Sequence, residues 1–287
     1  MGKSSFTAIA AMSVAIVVAA ATPCFAAAIE PVDVELVIAT DVSPSIDSSE
    51  ARLQREGIAT AFSNPEVIEA IQGGALGKIG VAAIDFSSRE YNKIVSNWVV
   101  IHDKASALAF AEFMRNAPTS TGRHTSISDA IELAELLLEQ NTLEGTKKVI
   151  DISGDGPNNW GRPTNLVRDE AVMKGIVING LPIMGSATGL DTYYKNCVIG
   201  GPGSFMIIAH GFQDFAQAIR NKLIQEIASA RPARKGKDGL LIRVADNPAP
   251  RPAPRGYVAP LNEEGCGNEF GGFGPFNGFD FPLPVPR

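Results

Sequence analysis

Val34-Glu35-Leu36-Val37-Ile38-Ala39-Thr40, followed at once by Asp41-Val42-Ser43-Pro44-Ser45, is the stretch that decides the fold. The first seven residues form a short apolar run bounded by Pro31 and Asp41, the mark of a buried strand. Ser49 to Phe62 follows with helical spacing, apolar at Leu53, Ile58 and Phe62 and polar at Arg52, Arg55 and Glu56. Asp47, three residues before Glu50, predicts a capping box with Asp as the cap. Strand then helix recurs downstream. Ile79–Phe86 is a second buried run, and Ile94–Ile101 is a third that can lie antiparallel beside it after a polar turn. Residues 104–115 and 126–140 are predicted helices, 147–153 a strand, 166–174 a helix and 176–183 a strand. A last short strand is expected at 205–209, with an amphipathic helix at 212–227. Alternating helices and fully apolar strands predict an α/β domain. It is doubly wound, with a mostly parallel central sheet, one antiparallel edge strand and helices on both faces. In such a sheet ligands bind beyond the carboxyl ends of the strands, near the point where strand order reverses.

The strand ends carry oxygen. Asp41-x-Ser43-x-Ser45 places one carboxylate and two hydroxyls at alternate positions of a loop that opens a helix, so three oxygens can converge. That half-site suits Mg²⁺ or a similar hard cation, which takes oxygen at about 2.0–2.1 Å and retains waters. Asp and Ser are also ordinary capping and turn residues, so this loop alone leaves a structural reading open. Gly122-Arg123-His124-Thr125-Ser126 adds a hydroxyl at a helix start. Ser153-Gly154-Asp155-Gly156 adds a second carboxylate, flanked by glycines expected to permit a tight turn. Asp85, also at a strand end, is expected to cap or turn rather than to support the site, and His124 to be a surface or hydrogen-bonded side chain near its rim.

The ordered set Asp41-x-Ser43-x-Ser45, Thr125 and Asp155-Gly156 resembles the metal-ion-dependent adhesion site of von Willebrand factor A domains, over about residues 32–228. Tyr193 to Gly203 is similar to the late segment of a bacterial group of exported, single-domain members. The resemblance implies that Ser43, Ser45 and Thr125 contact the metal, that Asp41 and Asp155 hold it mostly through waters, and that an open position accepts a carboxylate from a protein partner. Mg²⁺ is the implied ion, with Mn²⁺ or Ca²⁺ as alternatives. Ser153-Gly154 departs from the family, which more often has Thr just ahead of Asp-Gly.

Working outward, the two ends differ from the domain. Residues 1–28 read as an export signal: Lys3, an uncharged run from Ile9 to Ala21, and Ala26-Ala27-Ala28 for cleavage. An uncleaved anchor is the rival reading, because Phe6 to Ala28 carries no charge. Residues 29–230 form the predicted domain, with 16 basic and 25 acidic residues, an acidic balance that suits a cation or a basic partner. Residues 231–287 hold ten Pro and nine Gly and are expected to be extended and largely disordered. Their Phe residues at 270, 273, 276 and 279 are either incidental or a docking peptide for a partner. Cys197 and Cys266 either pair in an oxidising compartment or stay free.

Composition excludes several functions. The 287 residues are 45% hydrophobic and 20% charged, which is globular rather than multi-spanning. A net charge of -6 argues against nucleic acid as partner. Three cysteines and three histidines are too few for a disulfide-dense scaffold or a zinc cluster. No G-x-G-x-x-G follows the first strand, and neither a P-loop lysine motif nor a G-x-S-x-G elbow is present. The leading expectation is an exported, non-enzymatic, metal-dependent module that binds a protein presenting Asp or Glu. It has no membrane span after signal cleavage, and its tail is a possible second contact. The alternatives are a Mg²⁺-dependent hydrolase and a structural protein assembling through its tail.

Overall fold

The computed structural model describes residues 29–185 and 187–230, with 234–235, 241–242 and 266. The predicted export signal lies outside the described residues, as does nearly all of the tail. The central strand β1 (Glu30–Asp41) runs parallel to β2 (Ile79–Phe86) on one side and to β4 (Leu143–Gly154) on the other. β3 (Lys93–Ile101) closes one edge antiparallel to β2, and β5 (Ile176–Pro182) extends the other edge parallel to β4. The order β3-β2-β1-β4-β5 is the doubly wound, mostly parallel sheet expected from the apolar runs. Strand order reverses between β1 and β4, so the crevice beyond Asp41 and Gly154 is the topological switch point.

Side chains alternate across β1. Val34, Leu36 and Ile38 face α1 (Ser48–Ser63), α2 (Pro65–Gln72), α3 (Lys104–Asn116) and α7 (Phe215–Ser229). Val37 and Ala39 face α4 (Ile127–Glu139) and α5 (Thr164–Met173). The same side is covered by α6 (Leu190–Tyr193), which runs straight into a π turn at Tyr194–Val198. The period of two along a strand thus supplies both cores from one apolar run. The capping box forms as read: Asp47 accepts from the Ser49 and Glu50 amides, and Glu50 accepts from the Asp47 amide at 2.9 Å.

The structure corrects several details. Residues 205–209 do not form a strand; Met206 and Ala209 make isolated parallel bridges to Gly180 of β5 and to Ile183 just beyond it, while Gly200 pairs antiparallel with Ile178. Helix α2, absent from the sequence reading, is only eight residues long but amphipathic, with Val67, Ile68, Ala70 and Ile71 buried. Its start is fixed by local chemistry, with the Asn64 side chain accepting from Glu66 N at 2.8 Å and Pro65 opening the first turn. Asp85 neither caps nor turns. It is buried and binds the Arg55 guanidinium through both oxygens at 2.6 Å, with Ser120 donating at 2.5 Å. Cys197 pairs with Cys266 in a disulfide with Cα atoms 5.6 Å apart. In the segment expected to lack regular structure, Arg234–Lys235 and Leu241–Ile242 pair as a two-residue antiparallel ribbon. Among the described residues no helix is long and apolar enough to cross a membrane.

Candidate metal centre

Three loops meet at the switch point. The first leaves β1 as Asp41 turns back on itself, with the Ser43 amide donating to Asp41 Oδ1 at 2.7 Å. That turn brings Ser43 Oγ within 3.0 Å of Ser45 Oγ, and Ser45 donates to Asp155 Oδ1 of the third loop at 2.8 Å. Asp41, Ser43, Ser45 and Asp155 therefore form one hydrogen-bonded chain across the crevice. Thr125 comes from the second loop, fixed to the third by a reciprocal pair. Its amide donates to Asn159 Oδ1 at 2.9 Å, and the Asn159 amide donates to Thr125 O at 2.9 Å. Its hydroxyl is 4.0 Å from where a Cβ on Gly156 would stand, so it faces the Asp155-Gly156 turn. Thr125 and Asp155 are buried below that turn, whereas Pro44 and Ser45 are exposed.

Residues outside the sequence-derived set hold these loops. Gln54 on α1 donates to Asp41 O at 3.1 Å. Ser87 anchors the second loop: its hydroxyl donates to His124 O at 2.5 Å and accepts from the Arg123 and His124 amides. Behind the third loop, the fully buried Tyr194 points its hydroxyl at Gly154 O, 3.5 Å away. Burial, with Asp41 alongside, raises that phenol well above its usual range, so it stays protonated. None of these residues carried a local signal, since each acts from a different element.

Gly154 is needed for a reason other than the one its sequence suggested. Its φ is not positive; instead, an added Cβ would lie 2.9 Å from Asp41 Oδ2 and 3.1 Å from the Tyr194 hydroxyl. Close approach, not turn geometry, excludes a side chain there. His124 is half-buried, and its ring lies flat on Trp160, centroids 4.4 Å apart and planes 9° apart. Trp160 remains 41% exposed, which leaves a broad aromatic surface beside the crevice.

The donor set can be tested against other acids on the same strand. Asp33 and Glu35 are as buried as Asp41, yet each has both oxygens occupied. Asp33 accepts from the Leu76 and Lys78 amides, and Glu35 from the Gly145 amide and Asn141. Asp41 Oδ2 is buried with no hydrogen-bond partner among the described residues. Burial, with the Asp155 carboxylate as a further cause, pushes the Asp41 carboxyl up to about 7. A buried acid with one oxygen unpaired, a second carboxylate nearby and three neutral hydroxyl oxygens is a set that fits a hard divalent cation. Among the described residues no three His, Cys, Asp or Glu side chains gather as a metal cluster.

The sheet order and the helices on both faces are the fold of von Willebrand factor A domains. The chain is similar to the vWF domain of the type V pili tip protein Mfa5 from Porphyromonas gingivalis, at 12% identity and TM-score 0.52, covering 74% of this chain and 100% of that one. It is similar to proximal thread matrix protein 1 from the mussel byssus, at 17% identity and TM-score 0.51, covering 69% of this chain and 46% of that one. A structure of the byssus protein with a zinc-occupied MIDAS motif matches at 15% identity and TM-score 0.50, covering 70% of this chain and 47% of that one. This chain thus spans about half the length of the byssus protein, and at these identities the likeness carries the fold alone. No curated protein matches the chain in sequence. The chain belongs to the family described as "Protein of unknown function (DUF1194)", which matches residues 31–231.

Proposed function

We propose that the chain is an exported, metal-dependent protein-binding module whose partner presents an Asp or Glu carboxylate. Asp41, Ser43, Ser45, Thr125 and Asp155 would hold the cation, and the hard oxygen donors favour Mg²⁺ over softer ions, with Mn²⁺ or Ca²⁺ as alternatives. When bound, such an ion supplies a hard Lewis-acidic centre for an external carboxylate oxygen. The observation that carries this reading is the hydrogen-bonded chain from Ser43 through Ser45 to Asp155, beside the unpartnered Oδ2 of Asp41. The exposed Pro44 and Ser45, with Trp160 nearby, leave the crevice accessible to a protein surface.

A binding role fits the chemistry better than hydrolysis. His124, next to Thr125 in sequence, stacks on Trp160, and among the described residues it makes no hydrogen bond to any of the three hydroxyls. His124 is therefore not placed as their general base, and Asp155, which accepts from the Ser45 hydroxyl at 2.8 Å, belongs to the donor set proposed for the cation. Export is supported by the Cys197–Cys266 disulfide, a bond that persists in oxidising compartments. Two neighbours of the same fold, a pilus tip protein and a byssus matrix protein, act outside the cell by their descriptions, which agrees with this placement.

Calorimetric titration of the full chain with MgCl₂ tests the site. Saturable binding that is lost in the double variant Ser43→Ala, Ser45→Ala is expected. A pull-down from the native envelope should then recover a partner with Mg²⁺ and lose it with chelator. Partner capture that ignores the chelator would overturn metal dependence, and turnover of a phosphoryl or acyl substrate abolished by Asp41→Ala would restore the hydrolase reading.

A further inference from the structure

A second group of ionisable side chains lies under α7, sealed from solvent and unused by the metal centre. Lys222 is 0% exposed, Asp151 3% and Glu226 1% at the side chain. Lys222 Nζ is in direct contact with Asp151 Oδ1 and lies 3.3 Å from Glu226 Oε1. Asn179, opposite Asp151 in the β4–β5 register, donates to Glu226 Oε1 and accepts from the Phe205 amide at 2.9 Å. The Phe205 ring covers the ammonium, 5.4 Å from Nζ to centroid. Lys147, partly exposed on β4, faces the same charges and donates to Ser229 at 2.9 Å.

Such a cluster is costly as free ions. Asp151 Oδ2 and Glu226 Oε2 are both buried with no hydrogen-bond partner among the described residues. Burial, with Glu226 alongside, raises the Asp151 carboxyl well above the usual carboxylate range. A protonated acid held against an amine, with a second carboxylate touching the amine and no solvent, is the arrangement from which an amide forms.

We propose that Lys222 and Asp151 condense to an intramolecular amide that ties α7 to β4. Glu226 takes a proton from the Lys222 ammonium, and the freed Nζ attacks Cγ of the protonated Asp151 carboxyl. The N–C bond forms, Glu226 passes that proton to the departing hydroxyl, the C–O bond breaks and water leaves, and Glu226 then takes the second Nζ proton so that the nitrogen keeps one hydrogen. One ammonium, one neutral carboxylic acid and the Glu226 carboxylate become one neutral amide, one water and a protonated Glu226, with no oxidant or co-reactant. Two desolvated charges disappear from the interior, which favours the product where bulk water is excluded. Asn179 is the other candidate acyl partner, but both ends of its amide are already committed, to Phe205 and to Glu226.

The test is a mass measurement on the full chain after reduction and denaturation, followed by tryptic digestion. The expected mass is one water below that of the unlinked chain, with no cleavage after Lys222 and a branched peptide joining the segments around residues 151 and 222. Glu226→Gln preserves the shape of the side chain and is expected to carry the full mass. Full mass in the wild-type chain, with ordinary cleavage after Lys222, overturns the cross-link. Loss of ammonia instead of water moves the bond to Asn179 and overturns Asp151 as the partner. Equal linkage in Glu226→Gln overturns the proton-transfer route.

Discussion

Asp151 and Asp155, four positions apart, belong to two acid pairs that the molecule treats in opposite ways. Asp155, just beyond β4, shares the crevice with Asp41; Asp151, within β4, shares the space under α7 with Glu226. Both pairs combine buried carboxylates with an oxygen that lacks a partner, and in both, burial pushes one acid upward. The difference lies in what surrounds them. The crevice pair has neutral hydroxyls and an exposed rim at Ser45, so its balancing charge can come from outside. The pair under α7 is sealed, so its balancing charge had to be built in as Lys222. A buried acid pair is thus a ligand site only where neutral donors and an opening accompany it.

The largest expected effect is at the sealed pair. Lys222→Met removes both the cation that contacts Asp151 and Glu226 before condensation and the cross-link after it, and is expected to cost at least about 3–5 kcal/mol in urea unfolding, the usual range for a broken buried pair. If the loss were under about 1 kcal/mol, the contrast between the two regions would fail.

The crevice should behave in the reverse sense. The folded-state pKa of Asp41, about 7, is raised above its ordinary value of 3.8. Its contribution to stability is therefore present in full below the ordinary value and is lost as pH rises through the folded value. Without divalent ion, the wild-type chain should lose stability relative to Asp41→Asn between pH about 4 and 8, on the order of a few kcal/mol, in paired thermal melts. Added Mg²⁺ should raise the wild-type melting temperature more at pH 8 than at pH 5, because the ion requires the deprotonated ligand. A Mg²⁺ response independent of pH would remove Asp41 from the donor set.

A smaller effect is expected at the third loop. Gly154→Ala places a methyl 2.9 Å from Asp41 Oδ2, and the forced shift should cost about 1–3 kcal/mol and weaken Mg²⁺ binding in the same calorimetric titration. The smallest concerns the rim. Trp160→Ala should change stability by no more than about 0.5 kcal/mol, while lowering recovery of the partner in the Mg²⁺ pull-down. Unchanged recovery would confine recognition to the crevice itself.

Some of this was legible residue by residue. The apolar run at Val34–Thr40 announced a strand covered on both faces, and Asp47 with Glu50 announced the helix start. Each depends on neighbours a few positions apart. The loop Asp41-x-Ser43-x-Ser45 showed its oxygens for the same reason. The Asp85–Arg55 pair was hidden because its partners lie 30 residues apart, on a strand and a helix. Gln54, Asn159 and Tyr194 were hidden likewise: each supports the crevice from a separate element. Gly154 was visible but misread, because a glycine needed for close approach looks in sequence like one needed for a turn.

The amino-acid order alone settled the doubly wound sheet, since hydrophobic period and cap chemistry are local properties of the chain. Only the folded molecule decided which acids meet which partners. Asp41 reaches Asp155 through two serines, while Asp151 finds Lys222, because strand order and helix packing bring together side chains from distant elements. Burial then sets their charge, and burial is a property of the whole packed domain that no short stretch of sequence carries.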